Sequence, residues 1–187
     1  IQPMSEFWKR YLPTLITAGV LALLLIPLWV FAVVRYSRQH LSLAAELRDA
    51  ITRNKLRVNY QPIVDMSNGR CLGAESLARW TRDNGEVVGP DIFIPIAEET
   101  GLIVPIGEWV LREACRIARA WPDNLSVAVN ISPKQFLAPG LATTIMQALT
   151  ATGLSPERLE LEITESVFIA NVEKTLGTLH SLRDVGV

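Results

Sequence analysis

Cysteine and histidine are nearly absent, with two of each in 187 residues. Cys71 and Cys115 lie far apart, each in an apolar or helical context. A chain with so few cysteines is not a disulfide scaffold, and a disulfide is not expected in a reducing cytoplasm. Neither cysteine has a histidine or a second cysteine at ligand spacing, so no zinc site is supported. His40 and His180 are isolated and read as solvated helix residues. Net charge is almost absent too: 18 basic residues against 19 acidic give −1. No global field for a polyanion exists, which excludes a DNA or RNA polymer as the expected partner. There is no internal repeat and no low-complexity tract.

What is present is uneven. From Leu12 to Val34 the chain reads LPTLITAGVLALLLIPLWVFAVV, without one charged residue. At about 1.5 Å rise per residue this run can span a hydrocarbon core of roughly 30 Å. Pro13 and Pro27 do not forbid it, because kinked membrane helices are tolerated. Trp8, Tyr11 and Tyr36 flank it, where interfacial aromatics belong. The competing reading is a secretory signal peptide, whose apolar region is about 7 to 15 residues and ends in a small-residue cleavage site. This run is longer, and Arg-Tyr-Ser-Arg follows it, which favours a true transmembrane α-helix over 12–34. Arg35, Arg38, Arg48, Arg53, Lys55 and Arg57 follow the span closely, against Lys9 and Arg10 before it. That bias puts the C-terminal side in the cytoplasm. The first residue is Ile, so residues 1–11 are expected to be the tail of an upstream region.

Residues 35–55 read as a juxtamembrane linker helix, with Leu41, Ala44, Leu47 and Ile51 at helical spacing and Asn54 closing it. Two roles stay open: a signalling or dimerising stalk, or a helix that packs on the next domain. From residue 56 the pattern changes. Strands are predicted at Arg57–Asp65 and Cys71–Trp80, joined by a turn at Ser67-Asn68-Gly69. A short helix over 91–100 follows, with an Asp91 cap and a Gly101 stop. Then come a helix over 105–121, a strand over 125–131, a helix over 142–152, a strand over 158–164 and a helix over 172–185. Strand alternating with helix predicts an α/β fold with a parallel sheet or a barrel.

Strand alternation sorts the faces. Leu125, Val127, Val129 and Ile131 point one way, and Ser126, Ala128 and Asn130 the other. Leu159, Leu161 and Ile163 oppose Glu160 and Glu162. Gly73, Glu75, Leu77 and Arg79 share a face. Each strand thus offers one packing face and one face bearing Glu75, Asn130 or Glu162. In barrels the C-terminal strand ends carry the site. Carboxylate and amide oxygens are hard donors suited to magnesium or manganese. The alternative is a hydrogen-bonded polar interior.

Five segments in order give this pattern an identity. YQPI (60–63), GAESLARW (73–80), GPDIFIPIAEETGLI (89–103), VAVNIS (127–132) and LELEITES (159–166) resemble, in sequence and spacing, the EAL family of bacterial cyclic di-GMP phosphodiesterases. The resemblance covers 56–187 and implies a modified TIM-type (β/α) barrel. It makes Glu75, Asn130 and Glu162 metal ligands in a two-metal site for Mg2+ or Mn2+. It makes Gln61, Leu77 and Arg79 contacts to cyclic di-GMP: Leu77 on the guanine side, Arg79 at a phosphate oxygen. Glu165 resembles a carboxylate that steadies a loop. The implied reaction is metal-assisted hydrolysis of one phosphodiester to give linear pGpG.

Two departures stand out. Ser76 replaces the Ala usual in the signature, and alternation points it away from the pocket, where a hydroxyl costs little if it reaches a carbonyl. The second is larger. The family's next strand carries an Asp-Asp pair, and later strands supply a Lys, a Glu and a Gln. None lies within these residues, so no catalytic acid or base is identifiable here. A barrel takes about 200–250 residues, more than lie between 56 and 187. The expectation is therefore an incomplete barrel, a fragment of a longer inner-membrane protein that is inactive by itself. A homodimer through the linker helix and the domain fits the same picture. The alternative is a degenerate EAL domain serving as a cyclic di-GMP receptor or protein-interaction module.

Overall fold

The structure is a computed structural model that describes residues 4–53, 55–165, 167 and 172–187. Helix α1 runs Met4–Thr52. Two compact units divide the chain, Ile1–Ser42 and Leu43–Val187.

In the first unit, α1 carries a stretch long and apolar enough to cross a membrane, and none of its most apolar window is buried. Leu23, Leu24, Trp29 and Phe31 stand exposed there.

The second unit begins inside the predicted linker helix. Leu47 and Ala50 are buried in its core, with Leu43 and Ile51 packed against them. Leu41, expected on that same face, is 72% exposed. The buried face therefore starts only at Leu43, and of the two roles left open, packing on the domain accounts for residues 43–51. The closing residue, Asn54, lies outside the described residues.

Beyond it come β1 (Leu56–Val64), β2 (Cys71–Thr81), β3 (Val87–Val88), α2 (Pro90–Thr100), α3 (Ile103–Ala118) and β4 (Ser126–Asn130). Then follow α4 (Pro133–Phe136), α5 (Leu141–Thr152), a 3-10 turn (Pro156–Arg158), β5 (Leu159–Glu162) and α6 (Val172–Val185). Among the described residues the sheet has five strands in the order β1-β2-β4-β5, with β3 on β2. Strands β2, β4 and β5 are parallel. Strand β1 pairs antiparallel to β2. The two are joined by the turn expected at Ser67-Asn68-Gly69, since the Asp65–Arg70 connection is too short for a parallel crossover. Asp65 accepts hydrogen bonds from the Ser67 amide and hydroxyl and from Asn68, closing a hairpin. The sheet is open, as an incomplete barrel must be.

Helix α2 is capped by Gly89 and opened by Pro90, not by Asp91. Asp91 sits in the first turn, where its charge favours the helix dipole without capping it. Gly101 closes α2 in the left-handed conformation, φ 76°. Cys115 is buried, and burial pushes its thiol up to about 11, so it behaves as a small apolar residue. Arg158, 6% exposed, donates to the carbonyls of Ala118, Trp121, Pro122 and Leu125 and to Asp123. It ties the end of α3 to the entry of β4 through backbone carbonyls there, two of which (Ala118 and Pro122) also accept a backbone amide.

Candidate active site

The sheet has two unlike faces. Leu56, Ala74, Ser76, Trp80, Val127, Val129 and Leu159 are buried toward the helices. Directly paired residues share a face. Gln61 lies opposite Glu75, Asn59 opposite Leu77 and Arg57 opposite Arg79 between β1 and β2, and Asn130 lies opposite Glu162 between β4 and β5. All eight stand on the open face.

The predicted ligands come together. Asn130 Nδ2 donates to Glu75 Oε1 at 2.6 Å across 55 residues of sequence. The Glu162 carboxyl is held above its ordinary range by partial desolvation first, then by the negative charges of Glu75 and Glu160. Glu160 is not one of the predicted site residues. Its identical parity with Glu162 is the signal that points to it. Among the described residues, no three His, Cys, Asp or Glu side chains cluster. The donor set is two carboxylates and an amide. The two carboxylates repel one another, and the Asn130 amide N–H holds Glu75; carboxylate and amide oxygens are hard donors of the kind divalent magnesium or manganese takes.

The substrate-side residues are partly gathered. Leu77, Arg79 and Asn130 line a cleft of about 440 Å³, together with Ile94 and Glu98 of α2. Arg79 Nη1 donates to the Ala78 carbonyl at 2.8 Å, leaving most of its five donors for another acceptor. Gln61 sits beside Glu75 and does not line that cleft. Ser76 borders the cleft despite facing the helices, but its hydroxyl donates to the Ala128 carbonyl at 2.8 Å. The departure from the signature is thus absorbed by a backbone acceptor. Glu165 is exposed in the turn after β5, and residues 168–171 of the loop it was expected to steady lie outside the described residues. Thr164 also lines the cleft just past β5, without a sequence signal: nothing in LEIT marks it apart from any strand-end threonine.

Comparison with known proteins identifies the family. The EAL domain family matches residues 44–187. A bifunctional diguanylate cyclase/cyclic di-GMP phosphodiesterase of Pseudomonas aeruginosa, MucR, is 41% identical over 155 residues, 81% of this chain and 23% of that protein. The cyclic di-GMP phosphodiesterase NbdA of the same organism is 37% identical over 153 residues, 80% of this chain and 20% of NbdA. A solved structure of the P. aeruginosa MucR phosphodiesterase in complex with c-di-GMP matches with a TM-score of 0.74 and 42% identity, over 78% of this chain and 61% of that one. The chain therefore spans only about a fifth of the length of these curated relatives. Ordered motifs, an open (β/α) sheet and carboxylates on its polar face converge on one assignment: this chain belongs to the EAL domain family.

Proposed function

We propose that this chain supplies Glu75, Asn130 and Glu162 to the metal centre of a membrane-anchored phosphodiesterase that hydrolyses cyclic di-GMP to linear pGpG. The meeting of these three side chains on one sheet face carries the reading. A divalent cation held by these residues would acidify a bound water and offset charge that develops on the phosphate. The chain's own residues do the rest. Glu75 and Glu162 stand on the same face of the sheet, and Asn130 would contribute its amide carbonyl once its amide releases Glu75. Arg79 offers guanidinium donors to a phosphate oxygen at the mouth of the cleft. Leu77 gives the cleft an apolar wall for a guanine. Gln61 lies within reach of a substrate that approaches Glu75. The apolar part of α1 anchors the protein in the bacterial inner membrane, with the EAL domain on the cytoplasmic side.

One observation favours a second reading. The described ligands number only two carboxylates and an amide, so a receptor that binds the nucleotide without cleaving it has the same site. Chromatography of pGpG formed by the full-length protein with Mg2+ or Mn2+ separates the two. Glu75→Ala is expected to bring turnover to background. Turnover that survives Glu75→Ala refutes the metal assignment, whereas nucleotide binding with no product identifies a receptor.

A further inference from the structure

We propose that Gly107, Ser132 and Gln135 form a seat that fixes Asn130, making them positioning residues for the cation centre. This rests on the reading of Glu75, Asn130 and Glu162 as that centre.

Asn130 is the last residue of β4, and the chain leaves the sheet directly after it. Its neighbours are tied down at once. Ile131 N donates to the Glu162 carbonyl at 2.9 Å. Ser132 Oγ accepts from Gln135 N at 3.2 Å, and Gln135 Oε1 accepts from Ser132 N at 3.2 Å, a closed capping box. The helix so capped has only four residues. Helices that short have no stability of their own. The box therefore serves to hold the segment, and the helix is its by-product.

Gln135 is 6% exposed, unusual for a side chain that gives up both hydration and rotamer freedom. It fits because α3 presents Gly107. A Cβ on that glycine would overlap the Nε2 and Cδ atoms of Gln135. Gly107 does not have a positive φ. The missing Cβ, and not backbone freedom, is what the site uses. Glycine is a poor choice inside a helix of 16 residues, yet here it makes room for the amide that closes the box. Lys134 Nζ adds a bond to the Glu98 carbonyl of α2. The segment after Asn130 is thus held by β5, α3 and α2 together. A metal ligand must be kept within about 0.5 Å of its productive position, and this seat supplies that restraint for a residue at a strand end.

The test is Mn2+ titration of the full-length protein by calorimetry, with thermal unfolding of each variant. Gly107→Ala and Ser132→Ala are expected to weaken Mn2+ binding by roughly 10–100-fold, the usual loss when a ligand's outer support is removed. Ser132→Thr, which keeps the capping hydroxyl, is expected to bind as the parent does. If Gly107→Ala fails to fold, the Ser132 pair decides alone. Unchanged Mn2+ affinity in Ser132→Ala, with affinity lost in Glu75→Gln, overturns the seat and leaves the centre standing. Unchanged affinity in Glu75→Gln overturns the centre itself.

Discussion

On the side of the sheet that meets the helices, Trp80, Val127, Val129 and Leu159 are 2% exposed or less. On the other side of the same strands stand Gln61, Glu75, Asn130 and Glu162, with hydrogen-bonding and ionisable groups at the same spacing. Backbone, register and hydrogen-bond ladder are common to both. Only the alternation of side chains differs. One face holds the fold through burial, and the other carries carboxylates that repel one another.

That separation can be broken deliberately. The largest effect is expected from Glu75→Ala on the open face: turnover of cyclic di-GMP by the full-length protein falls to background. Its thermal unfolding stays within about 0.5 kcal/mol, as for a surface change. A large loss of stability would show that the polar face also carries the fold. Trp80→Ala on the helix face should do the opposite, costing about 3–5 kcal/mol through lost burial and a cavity. Trp80 meets Phe93 of α2 edge to face at 6.2 Å, so α2 and the cleft it lines should loosen with it.

Arg158→Met tests a buried polar group on the stabilising side. Four carbonyls lose a shared donor, and unfolding should become easier by about 3 kcal/mol. Near-parental stability would mean that water replaces the guanidinium without loss.

The open face should also respond to pH. Glu162 binds its proton more tightly folded than unfolded. Its stabilising contribution is therefore present at low pH and lost as pH rises from the ordinary carboxylate range through the raised folded value. Stability of the metal-free protein should fall across that window, and Glu162→Gln should flatten the fall. Mn2+ affinity should rise over the same window, since only the ionised carboxylate binds metal. A flat affinity profile would remove Glu162 from the ligand set. The smallest effect is expected for Ser76→Ala, which deletes one hydrogen bond to Ala128. It should cost about 0.5–1.5 kcal/mol and leave turnover unchanged.

Much of this architecture is legible in the order of residues. The uncharged stretch at 12–34 is a property of composition, and the described part of it is helix with no core around it. The parity of Glu75, Asn130 and Glu162 is legible because β-strands alternate with a period of two whatever surrounds them. The Asp91 cap fails for a local reason: Pro90 takes the first helical position and presets its backbone, so the helix begins before Asp91. Leu41 fails because helical spacing identifies a face without saying where its burial begins. Ser132 and Gln135 are readable as a capping box from S-x-x-Q, but Gly107 is not, since its partner lies in another element.

The sequence alone thus determined which residues share a face and which stretch is long and apolar enough to cross a membrane, because both follow from short-range chain geometry and composition. Tertiary structure decided the antiparallel β1–β2 pairing that sets Gln61 opposite Glu75, and the approach of Asn130 to Glu75. It also decided that a glycine in α3 makes room for the loop of β4. Those depend on register between strands and on packing between helices. Both are chosen by contacts distant in sequence, which no local pattern contains.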